Sequence, residues 1–361
     1  MRHLASVQQI DALEPIPGKD RIVLATVLGW RVIVQKADYN VGDQCVYIEI
    51  DSVLPEKPEF EFLRPKNFRI KTMKMAGVIS QGICFPMSIL PPDQYTLGQD
   101  VTDLIGVKQY EPEMDDPVQQ TNSNSGKLDK FPKFLRKQAW FRKLILRQKR
   151  KSKEAFPAFI SKTDEIRIQS APWLLTDPTP YTFTEKIDGT SGTFALVKHK
   201  HLFRTTYEYI VCSRNRRLPV NDGSIYWQVS DKYRIKEKLM NLMEPHLSWV
   251  AIQGECIGPK IQGNKYNVQE PFLYVFNLLS PFGRVSSLKA KGILSCYGFD
   301  FVPIVAGKAK LPATVEDMLT LAHGESALAH TLREGLVCRS VDGKQSFKAV
   351  DPEFLLKYAA N

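Results

Sequence analysis

The sequence predicts an α+β chain in two parts, a small strand-built barrel at the N-terminus and a larger domain of mixed strands and helices after it. Three observations predict this. The 361 residues correspond to two domains at roughly 100–200 residues each. Before residue 115, five short runs rich in apolar and β-branched residues are separated by turn signals. From Phe156 onward, strand-like runs mix with helix-like ones.

The N-terminal runs are Arg21–Leu28, Trp30–Lys36, Gln44–Ile50, Phe68–Met75 and Val78–Pro86, punctuated by Gly18, Gly29, Gly42-Asp43 and Gly77. Five short strands in about 90 residues suit a small closed barrel. The oligonucleotide-binding (OB) barrel is a natural candidate, although five strands alone also fit other small barrels. Alternation runs clearly from Phe68 to Met75 apart from a slip at Thr72-Met73, and it gathers Arg69, Lys71 and Lys74 on a mostly solvent-facing surface. Residues 116–126 are polar and poor in apolar side chains, the composition of a linker. The expected division is therefore a barrel over 1–115, a linker with a basic helix over 116–155, and a second domain over 156–361. Within that domain Tyr181–Thr184, Val250–Gly254, Phe272–Leu278 and Gly335–Arg339 read as strands, and Ser230–His246 and Pro312–Ala322 as helices. No internal repeat is present.

The net charge of +10 is a local property. Twelve lysines and arginines fall between Lys127 and Lys153 against the single acid Asp129, so this segment carries +11 and the rest is close to neutral. Phe134, Phe141, Leu144 and Ile145 recur near helical spacing, which would dock one stripe and leave the basic residues facing out. A phosphate backbone is the obvious polyanionic partner. The alternative is a solvated basic helix with no ligand. No run of ~18 uncharged apolar residues occurs, so no membrane span is expected. The start, Met1 to Leu13, lacks the apolar core of a signal peptide. A cytoplasmic monomer is expected, or a nuclear one in a eukaryote. The six cysteines are scattered with no CxxC pair, and several sit in apolar runs, so buried reduced thiols are expected. The six histidines form no HExxH-like cluster, which argues against a structural metal.

The candidate chemistry centres on Glu185-Lys186-Ile187-Asp188-Gly189. A lone K-x-D-G is common, and a surface turn after a strand would explain it. It also suits covalent nucleotidyl transfer. An amine that attacks an α-phosphate must be neutral, and at an ordinary pKa only about one lysine in 2,500 is neutral at pH 7. Burial and a nearby divalent cation lower a lysine pKa, whereas arginine cannot follow. In an extended chain Asp188 would point to the same side as Lys186 and could hold a hydrated metal. Gly189 would let the backbone turn beneath a sugar. Five further features follow in order: Arg214 after an apolar strand, Glu255 at the end of another, Phe276 in the aromatic run 272–277, Glu334 before the strand at 335, and Lys348 in Ser346-Phe347-Lys348. Each has a bland reading as an exposed base, a strand-end charge or a core aromatic; their joint order shifts the balance.

This ordered set resembles the covalent nucleotidyltransferases: DNA ligases, RNA ligases and mRNA capping enzymes. Lys186 and Asp188 match the first motif, and Arg214, Glu255, Phe276, Glu334 and Lys348 the later ones. The chain looks most like the ATP-dependent RNA ligases with an N-terminal OB barrel, the group typified by the Deinococcus and Naegleria enzymes. The likeness includes Val46–Asp51 and Ser80-Gln81-Gly82 in the barrel, and Lys162–Gln169 and Ile257–Tyr266 beyond it. It implies a ligase-type domain of antiparallel sheets with flanking helices. It also implies ATP with magnesium or manganese, and an RNA or nicked RNA-containing duplex as substrate.

The implied roles are specific. Lys186 is the nucleophile. Asp188, Glu255 and Glu334 serve the metal shell through water, with Glu255 also near the ribose. Phe276 stacks on adenine and Glu185 lies near the adenine edge. Arg214, Lys348 and Arg167 bind phosphates, and Gly189 underlies the sugar. Thirteen residues follow Lys348, too few for the C-terminal barrel of DNA ligases and capping enzymes, and this favours RNA ligase. Serine at 346 departs from the family, which often carries a lysine there. The alternatives are a capping guanylyltransferase and a non-catalytic RNA-binding protein.

Overall fold

The computed structural model describes residues 3–110 and 154–358. The expected linker and the basic segment 127–153 lie outside the described residues. By compactness the chain divides into two units. Among described residues the first comprises 3–110, 165–187 and 303–358, and the second 154–164 and 188–302. The N-terminal sheets are thus in one unit with part of the chain's C-terminal half.

In the first unit Ala5–Gln9, Gln44–Ile48 and Ile83–Pro86 form one antiparallel sheet. Ala12–Pro15, Ile22–Val27 and Trp30–Gln35 form a second. Ser52–Val53 pairs with both Arg69–Ile70 and Lys108–Gln109, and Met73–Met75 with Val78–Ser80. The expected five continuous strands are therefore not what forms. Three of them appear close to their expected bounds. Phe68–Met75 divides into two short strands around the slip in its alternation. Val78–Pro86 divides at Gly82, whose φ of 86° a continuous strand cannot hold. The two strands before Pro15 were not foreseen. Trp30, Tyr47, Phe60 and Ile48 are fully buried in this core, and Val350 and Leu355 pack into the same cluster. Arg69 turns its guanidinium over the Tyr110 ring, 3.4 Å from its centroid.

The first unit also holds a five-stranded sheet in the order Ile166–Arg167, Ser346–Val350, Gly335–Ser340, Tyr181–Lys186, Ile304–Ala309. All its pairs are antiparallel except the first, which is parallel. Helix Val315–Ala322 packs on it through Met318 and Ala322. The expected helix began at Pro312, but the chain turns helical only after Thr314, whose hydroxyl caps the first turn by accepting from Asp317 N–H at 3.1 Å.

The second unit is built on a seven-stranded sheet. Its long central strands are Thr205–Cys212, Thr190–Lys200, Trp249–Ile257 and Phe272–Ser280, in that order. Strand alternation explains its two cores. Phe194 and Leu196 face helices Ile225–Lys232, Ile235–Leu242 and Ser287–Cys296, while Ala195 faces the opposite cluster with Ile160 and Leu279. The single helix expected over 230–246 is two helices, broken at Arg234 by a left-handed φ of 51°. No helix among the described residues is long and apolar enough to cross a membrane.

Of the cysteines, four are buried, Cys84 is half-buried and Cys296 is exposed. Burial pushes the Cys212 thiol up to about 12 and raises Cys256 and Cys338, while hydrogen bonding to Cys45 and burial raise Cys84. The thiolate is the reactive form. Titration of the native protein with a disulfide reagent is therefore expected to consume Cys296 promptly and the other five only after denaturation.

Candidate active site

Lys186 ends the strand Tyr181–Lys186, and Gly335 opens the neighbouring strand directly opposite it. Glu334 therefore lies beside the lysine, and Lys186 Nζ is 2.6 Å from Glu334 Oε2. The side chains are 25% and 13% exposed, so the pair is largely withdrawn from water yet open on one side. Two residues separated by almost half the chain meet because one strand register brings them together.

The segment that delivers Glu334 is pinned at both ends. Glu185 points to the other side of the strand and is 2% exposed. Its carboxylate accepts from Ser326 Oγ at 2.5 Å and from Ala327 N–H at 2.9 Å. Arg333 donates to the carbonyls of Leu321, Ala322 and His323, closing the C-terminal end of helix Val315–Ala322. Burial lowers the Arg333 pKa from its ordinary value. Asp351 N–H donates to the Glu334 carbonyl at 2.9 Å. Glu185 is thus buried and braces the 326–334 segment.

Lys348 lies opposite Val337, which lies opposite Thr184. Directly opposed residues share a face, and Thr184 and Lys186 are two apart, so Lys348 and Lys186 project from the same face of the five-stranded sheet. Arg167 is Lys348's parallel neighbour. It is 6% exposed and donates through Nη2 to Asp51 Oδ2 at 2.7 Å. Its Nε and Nη1 are buried with no hydrogen-bond partner among the described residues. Ser346 donates to Glu165 Oε2 at 2.5 Å, and Arg339 reaches the other oxygen of Glu165 at 3.3 Å. At 346 this chain thus has a short hydroxyl tied into an acid–arginine pair.

The unit boundary falls between Ile187 and Asp188, so the other candidates belong to the second unit. Asp188 forms an ion pair with Lys265, and its backbone N–H donates to the Tyr266 hydroxyl at 2.8 Å. A Cβ on Gly189 would come 2.5 Å from the Cys256 carbonyl oxygen and 2.9 Å from Glu255 Cγ. Only glycine permits that approach, which sets Glu255 against the start of the strand Thr190–Lys200. Glu255 pairs across the sheet with Ser191 and Tyr274. Phe276 is the extra residue of a β-bulge, since Gln253 opposes Asn277 and Gly254 opposes Val275. A bulge re-aims side chains, and Phe276 is half-buried while Val275 and Asn277 beside it are buried. Arg214 forms an ion pair with Asp164.

Among the described residues, no three acidic, histidine or cysteine side chains converge closely enough to ligate a metal by themselves. Sequence reasoning missed Lys265, Tyr266, Asp164, Ser326 and Arg333 as partners of the candidates. The segment 257–266 carried a signal for two of them, but the pairing of Glu185 with Ser326 had none.

Residues 4–87 match an OB-fold domain family, and residues 179–358 match the RNA ligase family. No curated protein sequence matches. Among solved structures, the Naegleria gruberi RNA ligase with pyrophosphate is similar at 27% identity and a TM-score of 0.81, over 100% of both chains. A mutant of that enzyme with AMP and manganese is similar at 26% identity and a TM-score of 0.81, again over 100% of both chains. Another mutant, with ATP and manganese, is similar at 27% identity and a TM-score of 0.79, over 99% of this chain and 100% of that one. With an OB-fold match at its N-terminus, a ligase match that contains the Lys186–Glu334 pair, and a full-length likeness to a solved RNA ligase, the chain belongs to the RNA ligase family.

Proposed function

We propose that this RNA ligase uses ATP to seal a 3′-hydroxyl to a 5′-phosphate through an AMP adduct on Lys186, and that it acts in RNA repair. The observation that carries this reading is the 2.6 Å contact between Lys186 Nζ and Glu334 Oε2 on adjoining strand ends. It gathers into one place the two residue types that the first and a later motif require. Solved relatives hold ATP, AMP and manganese, which supports ATP and a divalent ion, magnesium or manganese, for this chain.

The residues fit those groups. Arg167 has two buried guanidinium nitrogens with no partner among the described residues, next to Lys348, a setting that favours a phosphate. Asp188, Glu255 and Glu334 are carboxylates suited to an ion that keeps its waters and binds chiefly through phosphates. When bound, such ions offset charge on the phosphates. Lys186 must lose a proton before it attacks, and Glu334, 2.6 Å away, is placed to hold the ammonium in position and to accept that proton. The Lys186 nitrogen then bonds to the α-phosphorus of ATP as the bond to the β-phosphate oxygen breaks and pyrophosphate leaves. A 5′-phosphate oxygen next displaces the lysine and takes the AMP. Attack by a 3′-hydroxyl finally expels AMP and forms the phosphodiester.

Phe276 is assigned to the adenine face, Glu255 to the ribose as well as the ion, and Arg214, Lys348 and Arg167 to phosphates. Gly189 is assigned to close backbone approach at the sugar. Glu185 is assigned to the adenine edge, and it also braces the segment that carries Glu334. The domains follow as a nucleic-acid-binding OB module over 1–115, a linker and basic helix over 116–155 whose segment 127–153 grips RNA, and an adenylyltransferase domain over 156–361. The protein works as a monomer in the cytoplasm or nucleus.

Separate incubations with α-labelled ATP and α-labelled GTP test the reading against a capping guanylyltransferase. A covalent adduct is expected with ATP and a divalent ion, followed by sealing of a nicked duplex that bears an RNA 3′-hydroxyl. An adduct with GTP alone favours capping. No adduct with either favours a non-catalytic RNA-binding protein.

A further inference from the structure

The strands Thr190–Lys200 and Thr205–Cys212 continue their antiparallel register to Lys200 opposite Thr205. His201 N–H donates to the Arg204 carbonyl at 2.8 Å and closes the turn. Its two central positions, where Asn-Gly is the usual choice, hold Leu202 and Phe203, which are 88% and 94% exposed. Every residue from 199 to 205 is exposed. The stretch 198–204 contains Lys198, His199, Lys200, His201 and Arg204 and no acid. The carboxylate nearest in sequence, Glu208, is occupied by Arg217 at 2.7 Å and His199 at 3.1 Å. A lone exposed apolar side chain is ordinary. An adjacent Leu-Phe pair at a hairpin tip, ringed by bases and free of net negative charge, is not explained by folding.

We propose that this hairpin is a nucleic-acid contact, in which Phe203 stacks on a base and Lys200 and Arg204 take backbone phosphates. The proposal rests on the RNA ligase reading and extends it to a second contact region. Flat aromatic rings with flanking cations form the usual platform for strands read without sequence preference. The strand Thr190–Lys200 fixes where the contact falls. Gly189 and Glu255 lie at its first end and the hairpin at its other. Eleven residues at about 3.3 Å each put the tip ~30 Å from that end. The hairpin therefore engages the polynucleotide well away from the nucleotide-binding residues of its own unit, and cannot touch ATP.

The test uses the full chain with Phe203→Ala, Phe203→Leu, Lys200→Ala/Arg204→Ala and Phe203→Trp. Adduct formation from ATP needs no RNA and reports on folding. The probe is a fluorescein-labelled nicked duplex with an RNA 3′-hydroxyl and a 5′-phosphate, whose arms end in unpaired nucleotides that lie either beyond or short of ~30 Å from the nick. For long arms, Phe203→Ala and Phe203→Leu are both expected to weaken binding by roughly five-fold or more. The double basic variant should weaken it and flatten its salt dependence. Short arms should show no difference from wild type. The indole emission that Phe203→Trp adds at the hairpin tip should be quenched by the long duplex. Unchanged binding by Phe203→Ala with no quenching would overturn the proposal. So would full activity of Phe203→Leu, which would mark an apolar protein contact, or quenching only by anionic phospholipid vesicles, which would mark a membrane. Failure of the ligase reading shows separately, as a wild-type protein that forms no adduct.

Discussion

Lys186→Ala will take up no label from α-labelled ATP, with a loss on the order of 10³-fold or more. The size follows from geometry. The amine beside Glu334 supplies the bond to phosphorus itself, so its removal deletes the reaction. Lys348, on the same face, sits two strands away and level with Thr184, which at about 4.8 Å per strand and about 3.3 Å per residue puts its backbone roughly 12 Å from that of Lys186. It is not placed to take over. Lys186→Arg is expected to fail as completely, because a guanidinium keeps its proton at any pH the fold tolerates. A second measurement separates chemistry from collapse. An RNA whose 5′ end is already adenylylated needs only the last step, which forms no bond to Lys186. Lys186→Ala should seal that substrate. An adduct that persists in Lys186→Ala would overturn the assignment of the nucleophile. Loss of both reactions would point to a damaged fold.

What the sequence could and could not disclose about this site follows from locality. Lys186, Asp188 and Gly189 are neighbours in the chain, and a strand followed by a turn is a local pattern. The apolar strands around Glu255, Phe276 and Glu334 were legible for the same reason, since period-two alternation survives without knowledge of partners. The register that sets Glu334 against Lys186 was not legible. It depends on which strands pair, and a shift of one residue would turn the glutamate to the other face. The bulge at Phe276 is equally a property of two strands together. The bracing contacts of Glu185 were not legible either, because its carboxylate finds Ser326 and Ala327 far along the chain. In the N-terminal sheets, strand runs were readable, but the breaks depended on backbone conformations at single residues such as Gly82.

Gly335→Ala and Gly292→Ala, the same chemical change, are expected to move stability in opposite directions. Gly335 has φ +150°, and a Cβ there would lie 2.2 Å from the Ala349 carbonyl oxygen and 2.9 Å from Val350 Cα. Both contacts are with backbone of a paired strand, so no side chain can swing aside. The added methyl must push apart the strands Gly335–Ser340 and Ser346–Val350 or force the chain from its φ. Either response costs about 2–4 kcal/mol. Gly292 lies in the helix Ser287–Cys296 with nothing within 4 Å of its Cβ position. Alanine there removes backbone freedom from the unfolded chain and should add about 0.5–1 kcal/mol. Denaturant titration of both variants reads the two signs directly. The Gly335 variant carries a functional consequence as well. Its backbone continues from Glu334, and a displacement of about 1 Å at that carboxylate is enough to cost on the order of 10²-fold in rate. Adduct formation should therefore fall in Gly335→Ala at temperatures where the protein is still folded, while Gly292→Ala should form the adduct at the wild-type rate. Equal stability of the two variants would mean that the strand end at Gly335 yields freely, and the register could not then be what holds Glu334 against Lys186.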